Sequence, residues 1–120
     1  MKQNLIAGDW LDGEDAIENR NPADISEVVG VYARASQAHV DQAAQAARAA
    51  LPAWAGASPQ VRADMLEAVA QRLFARKEEI GTVLAREEGK TLAEAIGETA
   101  RAAQIFRFFA GEAIRVAGDA

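Results

Sequence analysis

The feature that most constrains the fold of this chain is a long amphipathic segment near its carboxyl end. After Leu84 the sequence predicts a helix end at Gly89, in the position of a left-handed C-terminal cap, and then one long helix reaching Gly118. At about 100° per residue, one stripe of this helix is apolar or small, as in a helix that buries one face. The stripe consists of Leu92, Ile96, Thr99, Ala103, Phe106, Ala110, Ile114 and Ala117.

The opposite face of the same helix mixes apolar bulk with charge. Three large apolar side chains, Ile105, Phe108 and Phe109, lie there among glutamate and arginine residues. A small domain usually covers only one face of such a helix. The second face therefore predicts that more protein, from a longer chain or another subunit, packs against it.

Composition limits both the fold and the partners. The 120 residues suffice for one domain, and a 50% hydrophobic content with only 6% aromatics favours close-packed helices with few large side chains. The net charge of -5 is spread as mixed glutamate and arginine, which argues against nucleic acid or an anionic membrane as the main partner. No stretch predicts a signal peptide or a membrane span, so we expect a cytoplasmic protein.

Cysteine is absent from the 120 residues. This excludes disulfides, thiolate metal ligands and a cysteine nucleophile from this chain.

Residues 5–33 carry the β signals. The run from Leu5 to Leu11, followed by the turn pair Asp12-Gly13, predicts a short strand and a hairpin turn. After Asn21-Pro22, a β-branched and aromatic run from Glu27 to Ala33 predicts a second extended segment. We expect two or three short strands that lean on the helices.

Residues 36–118 predict about four helices, so the segment is expected to be mainly α-helical. Ser36 is a good N-cap for the first helix, which Pro52 is expected to close. Ser58-Pro59 predicts the start of the second helix. Trp54 is expected to be a core side chain beneath the connection between these two helices.

The motifs do not assemble a catalytic or cofactor-binding site. Gly89-Lys90-Thr91 imitates the end of a phosphate-binding loop, but Leu84 stands where that loop needs a second glycine. His39, the single histidine, is expected to be a partly exposed surface residue. The adjacent glutamates at 78–79 and 87–88 would point about 100° apart on a helix, so the two carboxylates of each pair would not face each other. We therefore expect them on a solvated helix face and not in a catalytic acid–base pair.

Four stretches carry a resemblance to a known family. They are IAGDW at 6–10, NPAD at 21–24, VDQAAQAARAALPAWA at 40–55 and LAREEGKTLAEAIGETARAAQIFRFFAGEA at 84–113. In order and spacing they resemble the amino-terminal part of NAD(P)-dependent aldehyde dehydrogenases, especially bacterial semialdehyde dehydrogenases such as those acting on α-ketoglutarate semialdehyde.

The resemblance implies an α/β aldehyde dehydrogenase fold, NAD or NADP as cofactor, a small aldehyde substrate and a homo-oligomer. Residues 1–120 would be the amino-terminal segment of the cofactor-binding domain. The Rossmann core, the oligomerisation region and the catalytic cysteine, asparagine and glutamate would lie later in the family's chain. We therefore expect a truncated segment that alone is inactive and binds no cofactor. The alternative is a non-enzymatic helical interaction module or an inactive truncated homologue.

The resemblance also implies two sites. Glu87 would join backbone carbonyls near Asn19 to hold a monovalent cation, or would simply be an exposed glutamate. Gly97 and Arg101 would line a substrate entrance, where the arginine would steer an anionic semialdehyde. The competing interpretation pairs Arg101 with Glu98 in solvent.

Overall fold

The computed structural model describes residues 1–115. Within that range, four short or medium strands precede four helices, which confirms the predicted order of a small β part followed by a helical part. The chain divides into two compact units, Met1–Gly56 and Ala57–Ala120. The end of the predicted long helix, including Ala117 and Gly118, lies outside the described residues.

The strands are β1 (Asn4–Ile6), β2 (Asp9–Leu11), β3 (Asp15–Asn21) and β4 (Asp24–Arg34). The helices are α1 (Gln37–Gly56), α2 (Pro59–Ala75), α3 (Lys77–Glu88) and α4 (Leu92–Ile114).

The region from Leu5 to Leu11 is a hairpin rather than one strand followed by a turn. Strands β1 and β2 pair antiparallel, with Ile6 opposite Asp9, and are joined by Ala7 and Gly8. Both joining residues have positive φ, 55° and 95°, as a tight two-residue hairpin turn requires. The predicted turn pair Asp12-Gly13 instead follows β2, because Gly8 already supplies the backbone freedom for the turn.

A second antiparallel hairpin joins β3 and β4, with irregular register beside Arg20. Strand β4 includes the predicted Glu27–Ala33 segment, but β3 was not predicted from the sequence. Its residues, DAIENRN, contain only one β-branched side chain, so β3 owes its extended form to pairing with β4. Together with the hairpin of β1 and β2, which replaces one predicted strand, β3 brings the number of strands to four, where two or three were expected.

Helix α1 starts as predicted but ends later. The Ser36 hydroxyl accepts a hydrogen bond from the His39 amide at 3.3 Å, which confirms the N-cap. The prediction that Pro52 closes the helix is wrong, because α1 continues to Gly56 with the proline inside it. A proline removes one helical hydrogen bond and favours a kink, without forbidding continuation. Trp54 therefore lies within α1 and is 44% exposed, so its predicted core position is also wrong.

The second unit is built around α4, which packs against both α2 and α3. The buried residues of these helices are all small: Ala63, Ala70, Gly81, Ala95, Thr99, Ala103 and Ala110. Such residues allow helix axes to approach closely. The predicted stripe of α4 is thus confirmed at its centre, whereas Leu92 and Ile114, the first and last residues of the helix, are exposed.

Local signals set the helix ends in this unit. Ser58 caps α2 by accepting from the Val61 amide at 3.3 Å, and Pro59 is the first helical residue, as predicted. Gly89 ends α3 in the left-handed conformation, with φ 71°, which confirms the predicted cap. Thr91 then begins α4 with a reciprocal capping box to Glu94.

Candidate functional site

The main candidate surface is the second side of α4. Ile105, Phe108 and Phe109 are 44%, 62% and 54% exposed, and we call these three residues the exposed α4 face. The two phenylalanine rings pack edge to face, with centroids 5.3 Å apart. The helix therefore carries apolar side chains on both sides, as its sequence predicts, and residues 1–115 cover only one of these sides.

A surface groove of about 260 Å³ follows this face. It is lined by Arg101, Gln104, Ile105, Phe108 and Phe109. The Arg101 guanidinium donates a hydrogen bond to Gln104 Oε1 at 3.3 Å, so one polar pair lies beside three apolar side chains. Gln104 was missed from the sequence, although its i+3 spacing from Arg101 was a usable signal.

The structure places the two predicted entrance residues differently. Arg101 lines the groove, whereas Gly97 lies one helical turn earlier, where an added Cβ would have no atom within 4 Å. The competing pairing of Arg101 with Glu98 is wrong. Glu98 accepts from Lys90 Nζ at 2.6 Å instead, because that ammonium reaches it from the α3–α4 connection. A substrate entrance at Gly97 and Arg101 stays a prediction.

Lys90 holds the connection between α3 and α4. Its ammonium pairs with both Glu88 and Glu98. Hydrogen bonds to Glu88 first, and then to Glu98, raise the pKa of Lys90 above its ordinary value. The lysine that a phosphate-binding loop would direct at a phosphate is thus committed to two carboxylates.

The two residues of the predicted cation site belong to different compact units. Glu87 is half-buried in the last turn of α3, and Asn19 lies in β3 opposite Gly30. Across residues 1–115, the histidine, aspartate and glutamate side chains form no group of three or more that could hold a metal ion. Because the prediction invokes backbone carbonyls, this finding leaves it untested.

The other titratable candidates have structural partners. Glu78 accepts from Lys77 and Glu79 accepts from Arg76, so the adjacent carboxylates do not form an acid–base pair. These hydrogen bonds lower the pKa of both glutamates. His39 is half-buried, and its Nδ1 accepts from the Ser36 amide at 3.3 Å. Of the helices in the described part of the chain, none has the length and apolar content needed to cross a membrane.

Comparison with known proteins identifies the class. The model of the aldehyde dehydrogenase family matches residues 10–120. The chain therefore belongs to the aldehyde dehydrogenase family, as the resemblance in its sequence predicts.

Particular relatives agree with this assignment. The chain is 39% identical over 118 residues to alpha-ketoglutaric semialdehyde dehydrogenase of Bacillus subtilis, and this match covers 97% of the chain and 24% of that protein. It superimposes on a crystal structure of aldehyde dehydrogenase from Brucella melitensis biovar abortus with a TM-score of 0.94 and 36% identity, over 99% of this chain and 25% of the other. For an NAD-dependent aldehyde dehydrogenase from Sinorhizobium meliloti the TM-score is 0.93 at 33% identity, over 98% and 24%. The chain thus spans about a quarter of the length of these relatives.

Proposed function

We propose that this chain works as the amino-terminal part of an NAD(P)-dependent, homo-oligomeric aldehyde dehydrogenase that oxidises a semialdehyde to the carboxylate. The observation that carries the proposal is the fold match, which covers 99% of this chain at a TM-score of 0.94 but only 25% of the relative. The semialdehyde class is supported by the relative from Bacillus subtilis, whose name gives such a substrate.

The role of this segment is structural support rather than chemistry. Oxidation of an aldehyde in this family needs a nucleophile for the carbonyl and a nicotinamide that accepts hydride. These 120 residues contain no cysteine. Nor do the described residues fit a dinucleotide site, since β1 to β4 form antiparallel hairpins and the glycines nowhere follow the G-x-G-x-x-G spacing. No catalytic step is therefore assigned to this segment.

The exposed α4 face gives the segment its place in the whole enzyme. Ile105, Phe108 and Phe109 leave apolar surface open beside a groove that contains one guanidinium. In our proposal the rest of the enzyme packs over this face and closes the groove into a passage. Arg101 would then attract the carboxylate of a semialdehyde, and the small Gly97 would leave width at the entrance.

Kinetics on the intact enzyme test the role of Arg101. Arg101→Ala should lower kcat/KM for a carboxylate-bearing semialdehyde by roughly tenfold or more, the scale of one charge-assisted hydrogen bond. An uncharged aldehyde of similar length should be nearly unaffected. Arg107→Ala is the matched control, because Arg107 instead pairs with Glu67 at 3.3 Å. An equal loss on both aldehydes would remove the steering role.

The cation site is proposed separately. Glu87, with backbone carbonyls near Asn19, would hold a monovalent cation and so offset the poor placement of a carboxylate at a helix C-terminus. Thermal stability of the intact enzyme should then rise with potassium, and Glu87→Gln should abolish that rise. If the unchanged enzyme and Glu87→Gln respond alike to potassium, the site is rejected.

Two assays test the proposed function itself. The 120-residue chain alone should form no NADH or NADPH above the blank with any aldehyde. A chimera in which it replaces the matching first quarter of the Bacillus subtilis enzyme should fold and oxidise a semialdehyde. Turnover by the chain alone, or a chimera that folds but is inactive, would contradict the proposal.

The exposed α4 face also supports a second candidate, a non-enzymatic helical interaction module. The reading frame beyond Ala120 separates the two. Continuation into a cysteine-bearing catalytic domain supports the enzyme, whereas a natural stop codon supports the module.

A further inference from the structure

Helix α1 has an open apolar side that the proposed function leaves unassigned. None of its 20 residues is buried by the described part of the chain, although strand β1 packs against the helix. Val40, Leu51 and Trp54 are 55%, 58% and 44% exposed. The half-buried residues of α1 are His39 and Ala46, which point to a different side of the helix. The contact with β1 therefore leaves the apolar side uncovered.

The open side has the residue spacing of a helix that pairs with another helix. We call Val40, Ala44, Ala47, Leu51 and Trp54 the α1 stripe. At about 100° per residue, they fall within an arc of about 80°. They are spaced alternately by four and three residues, as are the a and d positions of a coiled coil. Helices with this spacing pack side by side, nearly parallel or antiparallel.

Two opposite charges lie along one edge of the α1 stripe. Asp41 and Arg48 are seven residues apart, so they point in nearly the same direction but lie about 10 Å apart along the helix. The Asp41 carboxylate accepts from the Gln37 side-chain amide at 2.9 Å. Within residues 1–115, the Arg48 guanidinium has no hydrogen bond or ion pair. This edge therefore presents a carboxylate and an arginine that could each meet an opposite charge on another helix.

We propose that a second copy of this chain packs antiparallel on the α1 stripe, with a two-fold axis between the two α1 helices. In the coiled-coil register, Val40 then faces the partner's Leu51, and Ala44 faces the partner's Ala47. The two-fold axis repeats both contacts. Trp54, at the end of the stripe, packs beyond these layers.

The charges favour this arrangement because the edge is complementary to itself. Residues on the same edge meet across an antiparallel helix pair, so Asp41 of each copy lies beside the partner's Arg48. A parallel pair would instead bring this edge against the opposite edge, which carries Ala43 and Ala50. A two-fold interface needs a surface that complements itself, and the antiparallel pair gives two ion pairs where the parallel pair gives none.

Mixing two charge variants of the 120-residue chain tests the pairing. Both carry Phe108→Ser, so that the exposed α4 face contributes little to association. Asp41→Arg brings two arginines together at each contact, and Arg48→Asp brings two carboxylates together. Each variant alone should therefore dimerise roughly tenfold or more weakly than the chain with Phe108→Ser alone. An equimolar mixture should recover the original affinity, because every arginine then meets an aspartate.

Sedimentation equilibrium measures each affinity, with Asp64→Arg as the matched control. Asp64 accepts from Gln60 at 2.7 Å, as Asp41 does from Gln37, but it lies on α2. This variant, also with Phe108→Ser, should dimerise as strongly as the chain with Phe108→Ser alone. Recovery on mixing also shows that both charge variants are folded, and none of these measurements needs an aldehyde or a cofactor, so they are independent of the proposed function.

Four results would each overturn the proposal. They are a monomeric chain with Phe108→Ser alone, single charge variants that dimerise undiminished, a mixture no tighter than its components, and an equal weakening by Asp64→Arg.

Discussion

At Gly81, helix α3 packs against α4, and the lack of a side chain there permits the close contact. A Cβ built on Gly81 would lie 2.8 Å from both Cα and Cγ1 of Ile96. Gly81→Ala should therefore destabilise the chain by about 1–3 kcal/mol, the usual cost of overpacking. Helix propensity alone would make this substitution stabilising, because alanine is a better helix former than glycine by about 1 kcal/mol. A loss of stability would therefore come from the collision with Ile96. Urea unfolding of the two proteins measures the difference.

Gly97 provides the matched control at the same scale. It is also a helical glycine, but a Cβ there would meet nothing within 4 Å. Gly97→Ala should stabilise α4 by up to about 1 kcal/mol through helix propensity alone. If both substitutions moved stability in the same direction, close packing at Gly81 would be contradicted.

At the scale of a single element, α4 depends on its capping box. The Glu94 amide donates to Thr91 Oγ1 at 3.4 Å, and the Thr91 amide donates to Glu94 Oε2 at 3.3 Å. Thr91→Ala removes the first bond and should cost about 1 kcal/mol of unfolding free energy. Thr91→Ser keeps a hydroxyl and should cost much less. Equal losses in the two variants would show that the hydroxyl is not what matters.

The same box should make α4 sensitive to acid. Hydrogen bonds from the Thr91 side chain, and then from its backbone amide, lower the pKa of Glu94 below its ordinary value. A carboxylate with a lowered pKa in the folded state contributes stability above its ordinary pKa, and that contribution disappears as the pH falls through the lowered value. Unfolding stability should thus decline below about pH 4 by an amount that Glu94→Gln lacks. Parallel pH profiles for the two proteins would contradict this assignment.

For the whole molecule, the exposed α4 face predicts self-association of the isolated chain. Contiguous apolar surface of this kind is seldom left open on monomeric proteins. Sedimentation velocity should show species larger than the monomer, and Phe108→Ser should shift the distribution towards the monomer. Leu92→Ser is the control, because Leu92 is exposed on α4 but does not line the groove. If the unchanged chain is strictly monomeric and unfolds cooperatively, the exposed α4 face does not need a partner surface, and this prediction is contradicted.

How far the sequence predicted this molecule depends on how local each signal is. Ser58-Pro59 and Gly89 fix helix ends through contacts within a few residues, so these ends were predicted correctly. Strand β3 was missed because its evidence lies in its pairing with β4. For the candidate site, periodicity placed Arg101 on the correct face. It could not show that the side chain bonds Gln104 rather than Glu98, because both spacings are allowed on a helix.

Among the residues that the structure describes, no large side chain is fully buried, and this limits how the segment can change by mutation. Ala95, Ala103 and Ala110 are buried along α4, and alanine has no smaller replacement except glycine, which weakens the helix by about 1 kcal/mol. A larger side chain at these positions would collide with the neighbouring helices, and glycine would lower the stability of the helix. In a saturation library of the isolated chain that is scored by folding alone, these positions should accept almost no substitution, while Gly97 and Gly111, both open to solvent, should accept many. Substitutions that the fold tolerates in this helix are therefore expected mainly at its exposed positions.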